Sequence, residues 1–559
     1  PSPGLGGARK LLKAVAEGSL TEQEIDLRVD ELLDLVLSTT AAMEKAPRSF
    51  DEKAHHELAQ RAAAESIVLL KNEGGILPLK HSKKIALIGD FALAPRYQGA
   101  GSSMVNPTKV NSLKEAMEAA ELDMVGYCAG YERSGKPNQA YLDEAVSQAK
   151  MADVVILCIG LDESSESEGL DRTHIGIPAV QKQLLDAVTA VNPNVVAVVS
   201  AGSVIETDWV EKCKAVVHGY LGGQAGASAM LEVLTGWQNP CGKLAETIPL
   251  CYEDTPAAQY FPGKKQNAEY REGLYVGYRY YETANKAVRY PFGYGLSYTT
   301  FAYSDLKVNA ENVTFTLTNT GSCAGAEIAQ LYVTKPDATV FRPAKELKGF
   351  TKVFLKAGES KTVTIPLDDK TFRYWNVATD SWEVEGGRYQ LLVGANVQDI
   401  CLTADITLPG TGAPDPYAGK VLEHYRTARV QEVPDAEFEA LLGCPLPEET
   451  TAIDRTMTLG ELNHSRSPLC WLIAGVLTLL VRSGEKNGKP NLNILFQYNM
   501  PLRGLAQMTG GIIGEETVDG LVMEAKGFWV IGILRALVGL LQNYVANSRY
   551  QAKLDEQSR

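Results

Sequence analysis

What the sequence lacks narrows the possibilities first. No apolar run reaches the roughly 20 residues that a membrane-spanning helix needs. The stretch 469–481 stops at 13 residues, and 528–541 is interrupted by Arg535. Both read as buried helices, and no membrane partner is expected. The opening, Pro1-Ser-Pro-Gly-Leu-Gly-Gly7, has neither the charged start nor the apolar centre of a secretory signal. The nine cysteines are odd in number and scattered without close pairs. That excludes a disulfide framework or a cysteine-rich zinc site and fits a reducing, cytoplasmic setting. Histidine is scarce, at seven residues, and the one adjacent pair, His55-His56, cannot share a helix face; no metal is expected. Positive charge is in deficit as well, with a net charge of −14, which argues against a nucleic-acid partner. Gly99-Ala-Gly-Ser-Ser103 lacks both a Walker Lys-Ser/Thr and a complete Gly-x-Gly-x-x-Gly, so no nucleotide cofactor is implied.

What is present suits several domains, since 559 residues can build large cores. In residues 1–50 a helix is predicted over 8–17. A second follows Thr21, an N-cap with Glu24 three residues on, which is a capping box. Its apolar stripe is Ile25, Val29, Leu32, Leu33 and Val36. Two helices without strands make no domain, so this opening reads as the exit of something larger. A helix over 52–71 is then predicted to end at Asn72-Glu-Gly-Gly75. From Lys83 the strands 85–89, 154–159 and 195–200 alternate with helices near 112–121, 139–151, 178–191 and 224–235. This rhythm predicts an α/β sandwich over 51–301, with a largely parallel sheet and helices on both faces. Residues 302–410 change to alternating strands at 313–317, 329–333, 361–365 and 389–393, separated by turn signals. That predicts an all-β sandwich of fibronectin type III kind. A linker rich in Pro, Gly and Ala at 409–419 leads into a helix-rich C-terminal segment, so that 411–559 reads as a fourth, helical domain.

The densest chemistry lies in Gly160-Leu-Asp-Glu-Ser-Ser-Glu-Ser-Glu-Gly-Leu-Asp-Arg172, directly after the apolar strand. Open α/β sheets bind ligands in loops at the carboxyl ends of their strands. Asp162, Glu163, Glu166, Glu168 and Asp171 crowd this loop, with Arg172 at its end. Mutual repulsion should raise at least one carboxyl pKa, which is what a general acid needs. The alternative is a solvated acidic surface loop.

Five motifs in order carry a resemblance. They are Ala64-Glu-Ser-Ile-Val-Leu-Leu-Lys-Asn-Glu-Gly74 with Leu77-Pro-Leu79, then Arg96-Tyr-Gln-Gly-Ala-Gly-Ser-Ser103 with Asn106-Pro107, then Glu168-Gly-Leu-Asp-Arg172. Asn239-Pro-Cys-Gly-Lys-Leu-Ala-Glu-Thr-Ile-Pro249 and Tyr290-Pro-Phe-Gly-Tyr-Gly-Leu-Ser-Tyr-Thr299 complete the set. Through them, residues 1 to about 410 resemble glycoside hydrolase family 3, whose members are retaining β-glycosidases. The resemblance implies an acid/base at Glu168, the Glu before Gly-x-Asp-Arg, with Glu166 as runner-up on the same loop. It implies that Arg96, Gln98, Ser102 and Ser103 line the sugar site or hold the loop through hydrogen bonds. Asp171 and Arg172 would form an ion pair that shapes the loop.

One departure is large. The family's nucleophilic Asp lies on a barrel, in a motif of the form Ser-Asp-Trp, and no such motif occurs here. The lone Asp-Trp, in Thr207-Asp-Trp209, falls in a sandwich-domain segment where Trp209 should pack and Asp208 should be exposed. The resemblance therefore implies the portion C-terminal to a catalytic barrel, the barrel being a separate chain or a missing fragment. By the same resemblance the chain is an exo-β-glycosidase component, first a β-glucosidase, inactive without the barrel, acting on a small carbohydrate and needing no cofactor. β-Xyloside or α-arabinoside specificity is the rival within the family, and a non-catalytic carbohydrate-binding or assembly subunit the rival outside it. The terminal segment is open between helical packing, a homo-oligomer contact and a lid bearing Trp471 or Trp529.

Overall fold

The computed structural model describes residues 4–46, 49–263, 267–447, 452–486, 491–509 and 511–557. The chain divides into two compact units, Lys53–Glu449 and Pro1–Glu52 with Thr450–Arg559.

The larger unit is built on a six-stranded sheet. Its strands are β1 (Val68–Asn72), β2 (Ile85–Ile88), β3 (Met124–Cys128), β4 (Val154–Gly160), β5 (Val195–Ser200) and β6 (Ala215–His218). They lie in the order β1-β6-β5-β4-β2-β3. All neighbours are parallel except β1, which runs antiparallel to β6. Every residue of β4 is buried, as expected of a strand covered on both faces and therefore apolar without alternation. Helices Leu113–Ala119, Gln139–Met151, Ala179–Thr189 and Gly226–Thr235 match the predicted stretches within a few residues. Trp209 is buried in one face, its indole N–H donating to the Glu206 carbonyl at 3.0 Å. Asp208 is exposed and pairs with Lys182 at 2.5 Å.

One predicted element changes identity. The helix expected over 52–71 ends at Ser66, and Val68–Asn72 is an edge strand. Ile67-Val-Leu-Leu70 is four consecutive buried apolar residues. A surface helix would expose half of them, whereas a strand between two layers hides them all.

The predicted sandwich follows. One sheet holds Phe301–Val308, Asn312–Asn319 and Ser360–Pro366; the other holds Gly325–Thr334, Glu346–Leu355, Gly387–Gly394 and Ile400–Leu408. Pairing is antiparallel throughout. Alternate residues Val313, Phe315 and Leu317 face Leu331, Leu391 and Val393 in a shared core. Beyond it, Leu422, Tyr425, Val433 and Phe438 are buried in one cluster with Tyr275, Tyr280 and Phe341. Residues up to 447 thus belong to the larger unit, although the sequence grouped 411–559 together.

The smaller unit is helical. Glu22–Lys45 starts with the predicted capping box, in which Thr21 and Glu24 satisfy each other's backbone N–H groups. Arg9 donates to Asn543 at 2.6 Å and Lys10 pairs with Glu515 at 2.8 Å, tying the N-terminal helix to the C-terminal segment. The two apolar runs expected to be buried are not. They lie in Pro468–Lys486 and Trp529–Gln557, where Leu479 is 68% and Leu541 65% exposed. Arg535 does not break the second helix, because it reaches Glu516 at 2.9 Å and Asp519 at 3.0 Å. The helix Trp529–Glu556 is long and apolar enough to cross a membrane, with 17% of its apolar window buried. The predicted stripe of Glu22–Lys45 is likewise unburied. The core of this unit is small, centred on Leu462, Ala474, Leu502 and Val518, and cannot cover so much apolar surface.

Candidate functional site

The sheet positions the acidic loop. β2 has β3 on one side and β4 on the other, so successive connections depart in opposite directions at the β2–β4 boundary. This is the switch point outside which open α/β sheets leave a crevice. The acidic loop leaves β4 there through Gly160, whose φ is +146°. A Cβ at this position would fall 1.9 Å from the Ser200 carbonyl oxygen, so only glycine lets β4 turn beside β5.

Two arginines clamp the loops together. Arg96, from the loop after β2, is 3% exposed. It donates to the Glu166 carbonyl at 2.9 Å and pairs with Glu163 at 3.2 Å. Arg133, after β3, pairs with Asp90 at 2.5 Å and with Glu163 at 3.8 Å, and donates to the Ala94 carbonyl. Arg96 thus makes the contacts of the loop-holding role, one of the two left open for it. Gln98 does the same for its own loop, since its amide accepts from the Val105 N–H at 3.0 Å and donates to the Val105 carbonyl at 3.2 Å. Ser102 donates its backbone N–H to Glu168 Oε2 at 2.6 Å. Ser103 is exposed beside Gly99.

The crowded carboxylates are dispersed onto separate partners. Asp162 is buried and accepts from the N–H and hydroxyl groups of Ser164 and Ser165 at 2.7–3.1 Å. Glu166 accepts the Gly202 N–H at 2.9 Å, which joins the acidic loop to the loop after β5. Glu168 is exposed, and its bond from the Ser102 backbone holds its pKa below the ordinary carboxylate range. Arg172 is taken by the Ser203 hydroxyl at 2.8 Å and the Val204 carbonyl at 2.9 Å, where the sequence had offered Asp171. Burial lowers its pKa, opposed by the charge of Glu166.

A raised carboxyl does exist, but off the loop. Glu246 lies on the segment between β6 and the sandwich, and its pKa is pushed up to about 7. Burial is the main cause; the Tyr220 hydroxyl pulls the other way, and the nearby charge of Glu166 pushes further up. Sequence reasoning missed this residue. Alternation could not have revealed it, because Leu244, Thr247, Ile248 and Pro249 are all buried. Nearby, His218 is buried with its ring 4.0 Å from that of Tyr220, and burial lowers its pKa to about 4. Among the described residues, no group of three His, Cys, Asp or Glu side chains is placed to hold a metal ion. The chemistry at hand is that of carboxylates on loops held together by hydrogen bonds and ion pairs at the carboxyl ends of the strands.

Comparison with known proteins agrees with this architecture. Residues 67–298 match the glycosyl hydrolase family 3 C-terminal domain, and residues 327–397 match the fibronectin type III-like domain. Thermostable beta-glucosidase B of Acetivibrio thermocellus is 42% identical over 528 residues, covering 92% of this chain and 65% of that protein. Exo-alpha-(1->6)-L-arabinopyranosidase of Bifidobacterium breve is 44% identical over 423 residues, covering 73% of this chain and 56% of that protein. The crystal structure of Bifidobacterium adolescentis GH3 beta-glucosidase superposes with a TM-score of 0.70 at 40% identity, covering 83% of this chain and 64% of that one. The chain thus spans a little under two thirds, or less, of the length of these relatives. With the α/β sandwich, the appended β-sandwich and the relatives in agreement, the chain carries the C-terminal domain of glycosyl hydrolase family 3.

Proposed function

We propose that this chain is the acid/base component of a retaining exo-β-glycosidase, first of all a β-glucosidase, whose nucleophilic carboxylate lies outside residues 1–559. The observation that carries the reading is the acidic loop. It stands at the switch point of the sheet, clamped by Arg96 and Arg133 and joined to the loop after β5 through Glu166. The names and greater lengths of the relatives support it, and the arabinopyranosidase among them keeps an α-arabinoside specificity in view.

A retaining mechanism places two carboxyl groups about 5–5.5 Å apart across the sugar. One attacks the anomeric carbon while the other protonates the departing oxygen and later takes a proton from water. Glu168 is our first choice for the second role. Its bond from Ser102 favours the carboxylate, the form that the water-activating step uses. A second carboxylate brought to about 5.5 Å would favour the protonated form that the first step uses. Glu166 is the alternative, favoured by one observation: its carboxylate accepts the Gly202 N–H and so lies where the acidic loop meets the loop after β5. With Arg96 and Gln98 occupied in holding loops, Ser102 and Ser103 are the exposed residues left for a sugar hydroxyl. The chemistry proposed uses carboxylates alone, and the free cysteines suit a cytoplasmic setting.

The test is hydrolysis of an aryl β-glucoside by the full polypeptide that contains these residues. Glu168→Ala should lower kcat on the order of 10²–10⁴-fold, with partial recovery in azide. The same result in Glu166→Ala instead would move the assignment, and full activity in both variants would end it. Residues 1–559 alone should be inactive; robust hydrolysis by them would place the nucleophile within the chain. β-Xylosides and α-arabinosides assayed alongside decide the sugar.

A further inference from the structure

The smaller unit leaves one face of the helix Trp529–Gln557 bare. The helix packs on Glu515–Ala525 through small residues. A Cβ on Gly532 would fall 2.5 Å from the Glu524 nitrogen, and one on Gly539 2.7 Å from that of Thr517, so the two backbones touch. On the far side Val530, Ile533, Leu534, Leu537, Val538 and Leu541 are all exposed. At 3.6 residues per turn these six occupy roughly 140° of arc, opposite the glycines. We propose that this face lies in the plane of an anionic lipid bilayer and holds the smaller unit there.

The ends of the helices favour lipid over protein. Trp529 is exposed, as is Trp471 at the start of Pro468–Lys486. Their indole N–H groups donate to the carbonyls of Arg466 at 2.9 Å and Ser465 at 2.7 Å. Both helices therefore begin at one place, where Phe528 is exposed as well. Aromatic rings with a polar edge collect at the boundary between headgroups and acyl chains. Cations stand beside them. Arg466 and Lys526 at this end, and Arg482 and Arg549 farther along the two helices, are exposed and form no ion pair among the described residues. The nearby carboxylates are already engaged, with Glu515, Glu516 and Asp519 held by Arg455 and Arg535. Residues 450–559 hold eleven Lys and Arg against nine Asp and Glu, although the whole chain carries −14. Unpaired cations around an apolar face are the complement of acidic headgroups. A second copy of the chain would cover the apolar face but leave the cations unanswered.

The helix lies on the bilayer and does not cross it. Spanning would carry the ion pairs of Arg535 with Glu516 and Asp519 into hydrocarbon, where charged side chains are costly. Lying in the plane leaves that side in water and buries only the bare one. This reading does not depend on the glycosidase assignment.

The experiment is sedimentation of the chain with vesicles of phosphatidylcholine alone and of phosphatidylcholine with phosphatidylglycerol. It is repeated on Leu537→Glu/Leu541→Glu, on Lys526→Glu/Arg549→Glu and on Phe350→Glu, the last an exposed apolar residue of the larger unit. All are surface positions, so the fold should survive, and circular dichroism checks it. Binding to the phosphatidylglycerol vesicles is expected, weakened roughly tenfold or more in both double variants and unchanged in Phe350→Glu. No binding, equal binding by the leucine variant, or binding indifferent to phosphatidylglycerol would overturn the proposal. So would a concentration-dependent dimer in lipid-free buffer that Leu537→Glu/Leu541→Glu dissolves, which would give the face to a second copy.

Discussion

Replacing Glu246 by glutamine should stabilise the protein at alkaline pH far more than at acid pH. The carboxyl has a folded pKa of about 7 against a reference of 4.5. Between those values the unfolded chain releases the proton first, so stability from this group falls as pH rises through the window and stays low above it. A shift of this size, at about 1.4 kcal/mol per unit, corresponds to a deficit of about 3 kcal/mol above pH 7. At pH 5 the deficit is still only about 1 kcal/mol. Glutamine keeps the shape and removes the charge. Its advantage over the wild type should therefore grow by about 2 kcal/mol between pH 5 and pH 8.5, or roughly 4–8 °C in Tm for a domain of this size. Melting curves of both proteins at the two pH values read this directly. Glu166→Gln, which removes a neighbouring charge, should shrink the difference. An advantage that does not change with pH would show that Glu246 titrates normally, and would refute the burial argument.

Four further substitutions test the architecture. Gly160→Ala drives a Cβ to 1.9 Å from the Ser200 carbonyl and should cost at least about 3 kcal/mol in denaturant unfolding; a near-neutral result would mean that the β4 exit differs from that described. Arg96→Leu strips Glu163 and the Glu166 carbonyl of their partner. It should cost about 1–3 kcal/mol and speed proteolysis within 160–172, and an unchanged cleavage rate would contradict the clamp. Trp209→Ala should cost about 3–5 kcal/mol while Asp208→Ala stays within about 0.5 kcal/mol; comparable effects would contradict the opposite burial of these neighbours.

Local signals carried far in this chain where one feature suffices to decide the structure. The capping box at Thr21 and Glu24, the strands 154–159 and 195–200 and the alternation of 313–317 are each decided by a few neighbouring residues. Burial on both faces makes β4 uniformly apolar, and burial on one face makes the sandwich strands alternate. The acidic loop was legible for the same reason, as polar residues placed directly after a buried strand.

Other features depend on what lies across space. Ile67-Val-Leu-Leu70 continues a helical pattern, and only its pairing with β6 makes it a strand. The length and apolarity of 528–541 implied a core helix, but burial depends on whether enough surface is available to cover it, and the small unit offers too little. Charge crowding in 160–172 was visible, yet Arg96, Arg133, Gly202 and Ser102 arrive from separate elements to divide the carboxylates among them. Glu246 shows the limit most plainly. A lone glutamate between Ala245 and Thr247 carries no local sign of a raised pKa, because burial and the Glu166 charge act through the folded structure. The sequence alone determined the strands 154–159 and 195–200, the helices that alternate with them and the polar loop after Gly160, since those follow from periodicity and local hydrogen bonding. Which carboxyl keeps its proton, which arginine is a clamp and which apolar face stays bare were decided by the tertiary structure, because desolvation and electrostatics depend on distance in space.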